Sequence, residues 1–103
     1  MDRLEFVRRL SDRSNNIEAK DIIINFFDQY MIMYDLLNGV DDIFIVNADN
    51  FNISFQMLFN DADDAESLIT DLSSINVVKV YDSVYSIGCN KINEYTVIVS
   101  ISR

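Results

Sequence analysis

Hydrophobic and polar residues alternate with a period of two along two segments of the chain. Every odd-numbered position from Phe51 to Phe59 is hydrophobic, and so is every odd-numbered position from Tyr95 to Ile101. The even-numbered positions between them are mostly polar and carry no charge. Because a period of two places successive side chains on opposite faces of a strand, residues 51–60 and 94–102 are predicted strands. Each has one hydrophobic face, as is typical of an antiparallel sheet covered by helices on one side.

Three shorter hydrophobic runs complete the predicted sheet, at residues 43–46, 75–81 and 84–88. Residues with β-branched or aromatic side chains are frequent in all three runs, which favours strands. The dipeptide Asp82-Ser83 would join the last two as a hairpin, without the glycine that makes such a turn most recognisable.

Three other segments have the period of a helix. The first is residues 2–12, which ends before a Ser-Asn-Asn cluster. The third follows Asp63, the predicted N-cap, and has Glu66 at its third position in a capping-box pattern. Its hydrophobic residues recur at the spacing of one helix face.

The second predicted helix runs from Ile17 to Asn38, with Asn15 as its N-cap, Glu18 completing a capping box and Gly39 ending it. Its hydrophobic residues cover an arc on the order of 200°, wider than the stripe of about 100° that a surface helix needs. Such a helix packs on two sides or forms a symmetric dimer interface.

The predicted order of elements is α-α-β-β-α-β-β-β. Residues 1–103 contain no proline, two glycines and no segment with the composition of a linker, so one domain is expected. The predicted fold class is therefore α+β, a single compact domain whose mostly antiparallel sheet has its helices on one face.

Charge is distributed very unevenly along this chain. From Asp21 to Val78 there are eleven carboxylates and no Lys or Arg, whereas the net charge of the whole chain is −9. The remaining segments, 1–20 and 79–103, have nearly balanced charge. A uniformly negative surface attracts basic partners and repels nucleic acid.

The candidate partner-binding residues are ten aspartates of this stretch. On an ideal helix Asp21, Asp28 and Asp35 form one line, and no basic residue is present at i,i+4 to neutralise them. Helix capping is an alternative reason for the acidic residues near the start of the third helix. The ten are Asp21, Asp28, Asp35, Asp41, Asp42, Asp49, Asp61, Asp63, Asp64 and Asp71.

Several kinds of chemistry have no support in this sequence. There is no His, the usual general base and metal ligand. An EF-hand loop starting at Asp61 would need Gly and Glu where Glu66 and Leu72 stand. Neither a glycine-rich phosphate loop nor a membrane-spanning hydrophobic run occurs, and Cys89 has no partner for an internal disulfide. We expect no enzymatic activity, cofactor, metal, membrane contact or direct binding to nucleic acid.

The sequence therefore favours a small acidic inhibitor protein, encoded by a phage or mobile element. Its carboxylates would mimic DNA phosphates and bind a basic nucleic-acid-binding enzyme, such as a CRISPR or restriction effector, in the host cytoplasm. Two alternatives remain open. One is an immunity or antitoxin protein that neutralises a basic toxin, and the other is a non-catalytic domain that dimerises through the second helix.

Overall fold

A five-stranded antiparallel sheet forms the centre of the molecule. The structure, a computed structural model, describes residues 1–30, 35–49 and 52–103. The strands lie in the order β1-β2-β5-β4-β3, so that β2 and β5 are interior neighbours although a helix and two strands separate them in the chain. Their bounds are β1 Val40–Ala48, β2 Asn52–Phe59, β3 Val77–Val80, β4 Ser83–Asn93 and β5 Thr96–Ser102.

The helices confirm the predicted α+β class and element order. They are α1 Arg3–Arg13, α2 Ile17–Gln29 and α3 Ala62–Ser73, with a 3-10 helix at Leu37–Gly39 between α2 and β1. The buried residues of α1, α2, α3 and the five strands belong to a single hydrophobic core. The helices therefore share one face of the sheet.

The two faces of the sheet differ as the period of two predicts. Phe55 pairs with Val99 and Met57 with Val97, and these four side chains are almost completely buried under the helices. On the opposite face, the three interior strands present only uncharged residues. They are Asn52, Ser54, Gln56 and Leu58 of β2, Thr96, Ile98, Ser100 and Ser102 of β5, and Ser86, Gly88 and Asn90 of β4.

Helix α2 packs on two sides, which accounts for its wide hydrophobic arc. The Phe27 ring lies 4.7 Å from the ring of Phe6 in α1 and 6.0 Å from that of Phe55 in the sheet, measured between centroids. Ile23 and Phe26 are also fully buried within the same core. These contacts explain the described part of the arc without an intermolecular interface.

The second helix is shorter than the sequence predicts. It ends at Gln29, and the N–H of its C-cap residue Tyr30 donates to the carbonyl of Phe26. The predicted continuation passes through residues 31–34, which lie outside the described residues, and Asn38 belongs to the 3-10 helix. The predicted line of three aspartates therefore does not extend along α2 to Asp35.

Both predicted N-caps were also wrong, by one and by two residues. Asn16 caps α2 in place of Asn15, and its side chain accepts from the N–H of Ala19 at 2.9 Å. Asp61 caps α3 in place of Asp63, whose N–H donates to the Asp61 carboxylate at 2.8 Å. Asn and Asp favour this position because a short side chain reaches the free N–H groups of the first turn.

The predicted hairpin between the third and fourth strands is present, one residue earlier than expected. Val80 pairs with Ser83, so the loop consists of Tyr81 and Asp82. Tyr81 has φ 55°, in the left-handed region that non-glycine residues rarely adopt. Strand β4 also continues to Asn93, well past the predicted end at Gly88, because it pairs with β5 along most of its length.

Arginines of α1 bind the backbone at one edge of the sheet. Arg9 donates to the carbonyl of Asp41 at 2.6 Å, and Arg13 donates to the carbonyl of Ile43 at 2.8 Å. Both carbonyls belong to the edge strand β1. A second chain could otherwise pair with these groups.

Side chains at the end of α2 do the same at the opposite edge. The amide of Gln29 donates to the carbonyl of Lys79, and the Tyr30 hydroxyl lies 3.5 Å from the carbonyl of Val77. Both carbonyls belong to the short edge strand β3. At each edge of the sheet, side chains from a helix or its cap thus contact backbone carbonyls of the edge strand.

Candidate acidic interaction surface

Two of the ten candidate aspartates are paired with arginines of α1. Arg3 forms a bidentate ion pair with the carboxylate of Asp28, with both N–O distances 3.1 Å. Asp42 lies between Arg9, at 3.0 Å, and Arg13, which also donates to it. The basic N-terminal segment therefore folds back and neutralises part of the acidic stretch.

These arginine contacts change the acidity of the carboxylates they touch. Hydrogen bonds from Arg8 and Arg9 lower the pKa of Glu5 in α1 to about 2. Partial burial acts to raise the pKa of Asp42, but hydrogen bonds from Arg13 and the Ile43 N–H, with the positive charge of Arg13, outweigh it. The pKa of Asp42 is therefore below its usual value, and both groups are ionised at neutral pH.

Most of the other predicted residues belong to two separate groups rather than to one line. The first group comes from two segments that meet at Gly39, the chain around the 3-10 helix and the start of α3. The Gly39 carbonyl accepts from the N–H of Asn60 at 2.9 Å, and the Asp64 side chain lies directly against Gly39. This contact brings the start of α3 beside the segment that joins the 3-10 helix to β1. We call the residues Asp35, Asp41, Asp61, Asp63 and Asp64 the Gly39 acidic group.

Helix geometry explains part of the Gly39 acidic group. Asp61 caps α3, and Asp63 and Asp64 lie in its first turn, where negative charge is stabilised by the helix dipole. Asp35 and Asp41 are exposed and have no such role in a helix start. The group therefore combines carboxylates that stabilise a helix with carboxylates that do not.

The second group lies at the opposite end of α2, around a cleft. Asp21 and Glu18, on the first two turns of the helix, line a cleft of about 420 Å³ beside the β3–β4 hairpin. Glu18 also lines a cavity of about 20 Å³ together with Asp49, whose carboxylate accepts from the N–H of Asn52 at 2.8 Å. We call the larger opening, which Glu18 and Asp21 line, the α2 cleft.

Sequence reasoning missed the α2 cleft because its walls come from distant segments. In the sequence, a capping box alone explains Glu18, and no pattern predicts that Tyr81, Tyr85 and Arg103 lie near Asp21. The spacing of Glu18 and Asp21 was the available signal, since residues three apart on a helix are neighbours. Asp71, near the end of α3, is in neither group.

Most of the predicted aspartates have no basic partner. Within residues 1–30, 35–49 and 52–103, no Lys or Arg nitrogen comes within 4.0 Å of the seven carboxylates named next. They are Asp21, Asp35, Asp41, Asp61, Asp63, Asp64 and Asp71. All four arginines of α1 are already engaged with other carboxylates.

The described part of the chain has neither a metal-binding cluster nor a membrane-spanning helix. No group of three or more His, Cys, Asp or Glu side chains there has an arrangement that could hold a metal ion. Among the helices of the same residues, none is both long enough and hydrophobic enough to cross a membrane. Comparisons with protein-family models, with curated proteins and with solved structures find no significant match.

Proposed function

We propose that this protein is a non-catalytic acidic inhibitor, encoded by a phage or mobile element and active in the cytoplasm of the host cell. Its target is a basic nucleic-acid-binding enzyme, such as a CRISPR or restriction effector. The carboxylates of the inhibitor occupy the positions that DNA phosphates take in the target. No cofactor or metal takes part.

The observation that supports this most is the absence of basic partners for seven of the aspartates in the described residues. Like charges held together on a folded surface destabilise it unless something compensates them. The four arginines of α1 could have supplied that compensation, but Asp28, Asp42 and other carboxylates already bind them. A basic partner would supply the missing positive charge.

The chemistry of such a contact favours fast and strong binding. Carboxylates accept charge-assisted hydrogen bonds from Arg and Lys, which are roughly twice as strong as neutral ones. A negative surface also steers a positive groove towards it from a distance, and this raises the association rate at low salt. Both effects weaken as the salt concentration rises.

Affinity capture from a bacterial host, followed by competition with DNA, tests this proposal. The captured target should lose DNA binding as the inhibitor is added, and its affinity for the inhibitor should fall as salt rises. Target binding that does not compete with DNA would overturn DNA mimicry and indicate the immunity-type mode instead. Capture of no basic protein would overturn both.

Charge variants then locate the binding surface. Asp35, Asp41 and Asp63 of the Gly39 acidic group change to Asn in one triple variant, D35N/D41N/D63N. The control D12N/D82N/E94Q removes the same number of charges from sites outside the Gly39 acidic group. The first variant should lose most of the inhibition and the control little, and equal losses would show that net charge alone matters.

A further inference from the structure

The α2 cleft is an opening large enough for a ligand, and it contains a candidate carboxylate, Asp21. Its volume of about 420 Å³ falls within the range of about 300–1,000 Å³ typical of ligand pockets. One wall is the start of α2, with Glu18 and Asp21, and the other is the β3–β4 hairpin, with Tyr81, Ser83 and Tyr85. The cleft thus combines two carboxylates with two aromatic rings.

The cleft carries more negative than positive charge. Arg103 is the basic residue among those lining it, and its guanidinium donates to the Ser83 hydroxyl at 2.8 Å. The same guanidinium lies 5.8 Å from the centroid of the Tyr85 ring. In the described residues no basic group is within 4.0 Å of Glu18 or Asp21. Two carboxylates are therefore available in the cleft, because its one cation, Arg103, contacts Ser83 and Tyr85 instead.

Tyr85 is a second and independent sign of a ligand site. Its side chain lines the cleft and is only 6% exposed, yet none of the described residues hydrogen-bonds to its hydroxyl. Among the described residues, no side-chain nitrogen or oxygen is both fully buried and without a hydrogen bond, so the Tyr85 hydroxyl is open to the cleft rather than enclosed in the core. A donor that enters the cleft could therefore bind this hydroxyl.

Tyr81 makes the outer wall of the cleft. It is 71% exposed, and its hydroxyl lies 3.4 Å from the amide nitrogen of Asn25 on α2. This contact holds an aromatic ring at the cleft mouth rather than in the core. An exposed tyrosine face next to carboxylates attracts cations.

We infer that the α2 cleft binds an arginine side chain of the basic partner, an inference that rests on the proposed function. The guanidinium would donate hydrogen bonds to the carboxylates of Glu18 and Asp21, stack on Tyr81 and donate to the Tyr85 hydroxyl. Arginine suits these groups better than lysine, because its planar guanidinium forms bidentate hydrogen bonds with carboxylates and stacks on aromatic rings. Arg103 over Tyr85 is an example of that stacking within the same cleft.

Amide chemical-shift mapping with three small probes tests the inference directly. The probes are N-acetyl-arginine methylamide, the lysine analogue with the same charge, and the uncharged citrulline analogue of the same shape. The arginine probe should shift the amides of Glu18, Asp21 and Ser83, the lysine probe should bind more weakly, and the citrulline probe should leave these amides unchanged.

Variants of the cleft should change the affinity for the arginine probe. E18Q/D21N should weaken it by about tenfold or more, the effect expected for losing hydrogen bonds to charged groups. D63N/D71N removes two charges elsewhere and should leave it within about twofold. R103Q should strengthen binding because it removes a positive charge from the cleft.

Other results would overturn the inference. They are equal shifts from the arginine and lysine probes, shifts spread over the Gly39 acidic group, or unchanged binding to E18Q/D21N. If the probe fails while D35N/D41N/D63N still loses inhibition of the target, the cleft assignment fails and the proposed function remains. If the probe binds the cleft but the target keeps its DNA, the proposed function fails instead.

Discussion

The guanidinium of Arg13 binds the carboxylate of Asp42, and this contact fastens α1 to the first strand of the sheet. Asp42 also contacts Arg9, so that two arginines share one carboxylate. Because the same arginines donate to carbonyls of β1, the contact combines charge neutralisation with protection of a sheet edge. The N-terminal helix is therefore part of the fold rather than a separate basic arm.

Glu5 and Asp42 should make stability depend on pH below neutrality. Each has a pKa lowered in the folded state, so each stabilises the fold when ionised. This contribution is complete above the unfolded pKa, 4.5 for Glu5, and is lost as the pH falls towards about 2. Unfolding by urea, followed from pH 7 to pH 2, should show E5Q and D42N less stable than the unmodified protein at neutral pH.

The difference between each variant and the unmodified protein should shrink as the pH falls. The gap between D42N and the unmodified protein should narrow as falling pH protonates Asp42, since a protonated Asp42 carries no charge either. Glu94, which is exposed and has no basic side chain within 4.0 Å in the described structure, provides the control E94Q. A gap for D42N that stays constant across this range would show that ionisation of Asp42 does not stabilise the fold.

Opening the edge of the sheet should increase self-association. Gln29→Leu removes the donor that occupies the carbonyl of Lys79, so that one more carbonyl of β3 can pair with a second chain. We expect the average mass from light scattering to rise with protein concentration for Q29L. Ser67→Leu adds a similar hydrophobic side chain to the exposed face of α3 and should stay at the starting mass. Equal behaviour of the two variants would show that added hydrophobic surface, and not the edge, is responsible.

Cys89 should react slowly in the folded protein. Burial raises the pKa of its thiol from 9.0 to about 11, and only the thiolate reacts with alkylating reagents. At pH 8 a shift of this size leaves roughly 100-fold less thiolate than in the unfolded chain. Mass spectrometry of iodoacetamide labelling, with and without urea, measures the difference. Similar rates in both states would show that the thiol is open to solvent.

Gly39 should tolerate a larger residue less well than an open site because Asp64 fills the space beside it. A Cβ atom at position 39 would lie 2.9 Å from the Asp64 Cγ, so the Asp64 side chain would have to move. We expect Gly39→Ala to lower the free energy of unfolding by at most about 1 kcal/mol, less than overpacking of a rigid core usually costs, because the Asp64 side chain can rotate away. Urea denaturation of the single variant and of G39A/D64A measures the loss and its recovery.

Gly88 is the matched control for this prediction. It lies on β4, and a Cβ atom there would have no heavy atom within 4 Å. Gly88→Ala should therefore be neutral or slightly stabilising, because alanine loses less backbone entropy on folding. A loss for G88A as large as that for G39A would mean that contact with Asp64 is not the cause.

The sequence predicted the elements best where hydrophobic periodicity is regular. The β2 and β5 segments, with buried Phe55 and Val99 facing the core, were placed within two residues of their observed bounds in the described residues. Strand β1 was predicted too short, because the register shift around Asp41 interrupts its alternation. Local patterns reveal burial, but they do not reveal a bulge that pairing with a neighbour creates.

Tertiary contacts decided the features that sequence reasoning could not find. The α2 end at Gln29 coincides with the contacts of Gln29 and Tyr30 to β3, a strand about 50 residues away in the chain. The pairing of Arg3 with Asp28 likewise joins residues 25 apart. The spacing of charges along one helix shows which carboxylates are neighbours within that helix. It cannot show which arginine of another helix or strand forms an ion pair with them.

The uncharged outer face of the three interior strands gives the molecule an electrical polarity. The carboxylates of the protein lie on the helices, turns and strand edges. The outward-facing residues of β2 and β5, such as the paired Asn52 and Ser102, carry no charge. A positively charged surface would be attracted more strongly to the side that holds the carboxylates than to the uncharged face. Encounters would therefore begin with the helical side already turned towards the target, and the neutral sheet face would point away into solvent.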